Sequence, residues 1–212
     1  MKAHTRLMSL GFLIAAKAFA AVPVGPAPIA EVMTELRRIE SASATGGGQV
    51  DILRLEYKEL ARNRPSDPLP RVYIAWCSLP SDDSWNELKS IAAINPDSPW
   101  AHLGMGRIYT GWKMRDQARA EFAQILARDA KFFPALSGLG DFARANNDEV
   151  GAEKAYRDSL AIADDAWAHA GLGFLFQKQA KLKEAAEEFR KSLNTFPSQP
   201  QVLNEIIGLD RT

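Results

Sequence analysis

An internal period constrains this chain more than any other feature. One pattern recurs three times over residues 99–197, at intervals of 34 and then 33 residues. The pairs Met105-Gly106, Leu139-Gly140 and Leu172-Gly173 stand in phase. Tyr109, Ala143 and Phe176 follow each glycine, and then come Ala118, Ala152 and Ala185. Four residues after each alanine stands an aromatic: Phe122, Tyr156, Phe189. Ile125-Leu126, Ser159-Leu160 and Ser192-Leu193 come next, and the units close near Ala130, Asp164 and Pro197. A period of this length belongs to arrays of helix pairs. No single pair can bury its own apolar face, so the copies must stack.

The residue types fit that stacking. Residues four apart share a helix face. Gly106, Gly140 and Gly173 lack a Cβ, so a partner helix can approach closely, and Ala118, Ala152 and Ala185 serve the second helix in the same way. The aromatics fill the wedge between units. A divergent copy precedes these three. Asn95-Pro96 lies in phase with the unit ends, Leu88 and Ile91 take the second-helix apolar positions, and Ser84 takes the alanine position. Its first helix would run from about Pro70 to Leu79 with Val72, Ala75 and Trp76, and lacks the glycine.

On these residues the chain resembles the tetratricopeptide repeat family over about residues 65–208, most clearly over 99–197. It departs from the family pattern at Ala143, where an aromatic is usual, and at Ala130 and Asp164, where proline is usual; Pro96 and Pro197 fit. The resemblance implies an all-α fold, a right-handed superhelical solenoid of stacked antiparallel helix pairs closed by a terminal capping helix. It further implies a non-enzymatic scaffold that binds a protein or peptide in a concave groove lined by the first helix of each pair. Projecting the phase places Tyr73 and Trp76, then Trp100, Leu103 and Arg107, then Ser137, Asp141 and Arg144, then Trp167, Phe174, Gln177 and Lys178 on that face. Aromatic and arginine side chains dominate binding energies, which suits a peptide groove. The alternative for Trp100 and Trp167, both near helix starts, is packing against the preceding unit. The family's clamp for a C-terminal carboxylate needs Lys and Asn at groove positions that hold Leu103, Arg107, Ser137 and Asp141 here, so that clamp is not expected.

The organisation reads as a divergent repeat over 65–98, repeats over 99–132, 133–165 and 166–198, and a capping helix within 199–212 that carries Val202, Leu203, Ile206 and Ile207. Ser98-Pro99 and Ser81-Asp82-Asp83 are helix-start signatures, and Asn146-Asn147-Asp148 and Asp164-Asp165 mark joints. Residues 29–64 read as a helical hairpin that caps the N-terminal end. Ile29, Val32, Met33, Leu36 and Ile39 form one apolar stripe, and Leu53, Tyr57, Leu60 and Ala61 form the other. Gly46-Gly47-Gly48 between them lacks phosphate-loop spacing and reads as a flexible joint.

Residues 1–20 have the makeup of a signal peptide: Lys2 and Arg6, an apolar run from Leu7 to Ala16, and the small-x-small sequence Ala18-Phe19-Ala20. Without an Arg-Arg pair the Sec route is expected, to the periplasm or the exterior of a bacterial cell. Residues 21–28 (AVPVGPAP) would be an extended tether. The alternatives are a retained leader that anchors the scaffold to the membrane, or a regulatory subunit of an envelope enzyme complex. Residues 1–20 hold three of the 26 basic and none of the 26 acidic side chains, which leaves 23 basic against 26 acidic beyond them. With no basic stripe, nucleic acid is not an expected partner. No later stretch is apolar enough to span a membrane. Cys77 is the single cysteine, so no internal disulfide forms; its thiol is either buried on an apolar helix or free to join a partner's cysteine. His102 and His169 share one phase of two repeats, which favours packing over metal binding, and no cofactor or catalytic motif is found.

Overall fold

A computed structural model describes residues 28–46 and 48–209; the expected signal peptide and nearly all of the tether lie outside the described residues. Among the described residues there are eleven helices and no strand. In chain order they are α1 (Ile29–Thr45), α2 (Gln49–Asn63), α3 (Leu69–Trp76), α4 (Asp82–Ile94), α5 (Pro99–Gly111) and α6 (Arg115–Arg128). After these come α7 (Phe133–Ala145), α8 (Glu149–Leu160), α9 (Ala166–Lys178), α10 (Leu182–Thr195) and α11 (Pro200–Leu209). The described residues up to Leu36 and those from Arg37 onward belong to two compact units, so the boundary falls inside α1. In the first unit Val32, Met33 and Leu36 form one buried stripe of the helix.

The second unit is the array. Its helices start where short polar side chains can hold the first free N–H groups. Ser81 Oγ accepts from the Ser84 amide at 3.1 Å, and Asp148 accepts from the Gly151 amide at 2.9 Å. Ser98 caps α5 with Pro99 at the helix start, and Asp165 caps α9 through the Trp167 amide at 3.1 Å. Within three units the first helix ends in one kind of turn. Lys113, Asn147 and Ala180, in phase, adopt positive φ of 60°, 60° and 58°. The next amide in each case bonds back to Tyr109, Ala143 or Phe176, a left-handed stop that satisfies a carbonyl left free by the helix end.

Helices α5 and α6, α7 and α8, and α9 and α10 pack as pairs, while α3, α5, α7 and α9 lie side by side as an inner layer. The seams are dry. Phe122, Tyr156 and Phe189 are fully buried. A Cβ at Gly106 would come to 2.8 Å of the Phe122 ring, and one at Gly138 would be closer still. Tyr156 meets Gly140 and Gly171 in the same way. Each of these two rings is therefore clasped by a glycine of its own unit and a glycine of the next. The expected row at 106, 140 and 173 is half of the device; Gly138 and Gly171 complete it. In the divergent copy Leu88 lies against Gly104, and Ser84 is buried at the alanine position.

The ends of the second unit depart from the repeat. Helix α2 packs on α3, and residues 37–44 of α1 face the inner layer, while Arg38 pairs with Glu56 of α2 at 3.3 Å. The polar and charged side chains at 37, 40 and 41 find partners there. At the other end, α11 buries only Val202 and Ile206, which join the cluster around Tyr156 and Phe189. Leu203 and Ile207 remain 48% and 42% exposed, so the cap covers the last unit with one edge of its apolar face.

Candidate functional site

The inner layer of the second unit carries a cavity of about 520 Å³. Its wall comes from residues that directly follow the phase glycines: Arg107 after Gly106, Asp141 after Gly140, Phe174 after Gly173. A glycine that faces the seam puts its neighbour, about 100° round the helix, toward the inside. Trp76, Arg144 and Trp167 complete the wall, and Arg37, Glu40, Ser41 and Ala44 of α1 line its other side.

Arg107 is the hub. Its guanidinium lies 4.6 Å from the Trp167 ring centre and 5.7 Å from that of Trp76, whose rings are stacked 6.3 Å apart and nearly parallel. Cation–π contacts of this kind contribute about 0.5–2 kcal/mol, more as water is excluded. Arg107 Nη2 also donates to Glu40 Oε1 at 2.9 Å, and Trp167 Nε1 donates to Glu40 Oε2 at 2.6 Å. Asp141 lies 3.9 Å from Arg107 Nη1, accepts from the Tyr156 hydroxyl at 2.7 Å, and pairs with Arg144 at 3.4 Å. Burial, and then the neighbouring Asp141 carboxylate, push the Tyr156 hydroxyl pKa well above the ordinary tyrosine value, so this hydroxyl stays a donor. One tyrosine thus joins the dry seam to the polar wall. Arg144 reaches over Phe174, which packs edge-on against Phe189.

Asp165 is fully buried beside this wall. It accepts from Arg37 Nη2 at 2.8 Å, from Ser159 Oγ at 3.2 Å and from Ser137 Oγ. Four donors, counting the Trp167 amide, compensate the burial of this carboxylate.

Of the residues expected on the groove, Trp76, Arg107, Asp141, Arg144, Trp167 and Phe174 line the cavity together. The other six do not: Leu103 is fully buried and Ser137 donates to Asp165. Tyr73 is buried against Tyr57. Trp100 is buried edge-on against Phe132, because its place at the start of α5 turns it toward the loop that ends the same unit. Gln177 donates to Glu205 of α11, and Lys178 pairs with Glu149 across two units. Arg37, Glu40 and Asp165 were not foreseen. Asp165 read as a joint and cap residue, and the apolar stripe of α1 gave Arg37 and Glu40 no role.

The described lining holds no His, Cys or Lys, and each of its carboxylates is engaged with an arginine. The two in-phase histidines are used inside the pairs: His102 Nδ1 meets Glu121 and His169 Nδ1 meets Glu188, both at 2.6 Å. Among the described residues no group of three or more His, Cys, Asp or Glu side chains could hold a metal, and no helix is long and apolar enough to cross a membrane. Cys77 is buried, and that burial pushes its thiol pKa up to about 11, which keeps it protonated at neutral pH.

No protein-family profile matches the sequence, and no curated protein does. Solved structures do match. A tetratricopeptide-repeat protein of Thermus thermophilus, TTC0263, superposes with a TM-score of 0.68 at 16% identity over 85% of this chain and 100% of that one. In the Cut9–Hcn1 hetero-tetramer of the APC/C, a chain matches with a TM-score of 0.63 at 14% identity over 93% of this chain, which spans only 39% of its counterpart. PilF of Pseudomonas aeruginosa gives 0.51 at 20% identity over 76% of this chain and 68% of that one. At these identities the likeness establishes the fold.

Proposed function

We propose that this all-helical tetratricopeptide-repeat solenoid is a non-enzymatic interaction scaffold of the bacterial cell envelope, and that it holds a protein or peptide partner on its inner face. The observation that carries the reading is the cavity in which Arg107 lies over the paired indoles of Trp76 and Trp167. Rigid aromatic rings and a planar cation give large contact area at small entropy cost, and such groups anchor protein interfaces. The envelope assignment is supported by Lys2, Arg6, the apolar run Leu7–Ala16 and Ala18-Phe19-Ala20.

The test places a photo-crosslinking side chain at Ala170, on the cavity wall, and separately at Lys154, on the exposed side of α8. A protein product that forms from position 170, is absent from position 154, and disappears when Arg107→Ala is added supports the reading. Equal products from both positions would place recognition elsewhere. Intact mass of the exported protein should begin at Ala21; a mass that begins at Met1 would overturn cleavage and leave an anchored scaffold.

A further inference from the structure

The inner face already holds a helix. Residues 37–44 of α1 present one stripe to the cavity, Arg37, Glu40, Ser41 and Ala44, at spacings of three and four residues. Each polar member meets a complementary group. Arg37 pairs with buried Asp165 at 2.8 Å, Glu40 takes Arg107 at 2.9 Å and the Trp167 indole at 2.6 Å, and Ser41 Oγ lies 2.9 Å from Ser198 Oγ. The stripe is held by side-chain tips across open volume, unlike the seams, where rings lie on glycine backbone. On the wall, the buried Nε1–H of Trp76 meets no acceptor.

We infer that residues 37–44 stand in for a helical segment of a partner, and that the inner face selects an amphipathic helix carrying Arg followed three residues later by Glu. The inference rests on the recognition role proposed above. The order of charges sets the direction of the helix. Asp165, held by Ser137 and Ser159, faces the base, while Arg107 and the Trp167 indole face the acid. A helix with the pair reversed would set carboxylate on carboxylate and guanidinium on guanidinium. Capture is an exchange of like contacts, since an incoming helix replaces ion pairs of the same kind. It prevails by filling the remaining volume and by supplying an acceptor to Trp76.

The probe is a fluorescent synthetic peptide of residues 29–45, titrated into the full chain and followed by anisotropy. The wild type, whose face is occupied, binds it weakly. Arg37→Ala with Glu40→Ala frees the face, and the peptide binds about tenfold tighter, the factor expected when the competent state rises from a minor to a major population. Adding Arg107→Ala returns binding to the wild-type level, and a peptide with the two charges interchanged does not bind. Glu40→Gln is the milder variant, expected to gain about threefold, and covers the case in which the double variant melts early. No gain in either variant, or equal binding of the interchanged peptide, overturns the inference. A wild-type dimer that the peptide dissolves would make the occupant α1 of a second copy and overturn a foreign partner. Crosslinking at Ala170 is read separately. Crosslinks lost with Arg107→Ala, without peptide exchange, would leave the scaffold reading standing and remove only this one.

Discussion

At the seams, Phe122 and Tyr156 lie against glycine backbone with no exposed area, whereas the residues next in sequence to two of those glycines, Arg107 and Asp141, keep 28% and 31% of their side chains open. The same helices therefore build a dry contact on one side and a wet, charge-laced one on the other. Hydrophobic burial holds the array together, since its energy scales with area removed from water. The inner face contributes less, because half-exposed ion pairs are each worth about 0.2–1 kcal/mol. Dry packing and polar lining are separated by a single step along the helix.

Substitutions can break that division. The largest loss should follow Phe122→Ala, which empties a fully buried ring site shared by two units; about 3–5 kcal/mol is expected by urea titration. Gly140→Leu should cost about 1–3 kcal/mol or more by forcing a side chain into the Tyr156 ring, and the loss should be cooperative across units rather than local in circular dichroism. Ala180→Gly should act in the opposite sense, raising stability by about 1 kcal/mol, because Ala180 sits at positive φ. Arg107→Ala should change unfolding free energy by less than about 1 kcal/mol while abolishing partner crosslinking. If it melts the protein as Phe122→Ala does, the division between seam and face is wrong.

The smallest effect is a pH dependence. The hydrogen bond with Glu121, ahead of other causes, raises the pKa of His102 above its ordinary value, despite burial. A raised folded value means that this pair stabilises fully below the unfolded pKa of about 6.5 and loses its contribution as pH rises through the folded one. The stability gap between wild type and His102→Gln should therefore shrink across that window. A gap that widens with pH would refute the assignment.

The seams were legible because packing repeats. The alanine and aromatic rows, Gly106, Gly140 and Gly173, and the caps Ser81 and Ser98 all find their expected places. Gly138 and Gly171 escaped notice because their rings belong to the preceding unit, so no spacing within one copy marks them. The site was half legible. Arg107, Asp141 and Phe174 share the phase of the glycines before them and could be projected onto the inner face. Glu40 and Arg37 could not, since their partners lie 67 to 128 residues away and nothing repeats. Trp100 misled because its position near a helix start let it turn toward Phe132.

The glycine–ring–glycine clasp has a consequence for how such an array can be lengthened or cut. The structural module is offset from the textual repeat: it runs from the phase glycine of one copy, through its aromatic, to the second glycine row of the next. A cassette spliced at the helix-pair boundary near Asp165 would divide the clasp of Tyr156, with Gly140 and the ring on one side of the cut and Gly171 on the other. A splice inside the turns at Lys113 or Asn147 would part Gly106 from Phe122 or Gly140 from Tyr156 instead, so a join at either place should fold only where donor and host carry the same glycine and ring on the two sides of the cut.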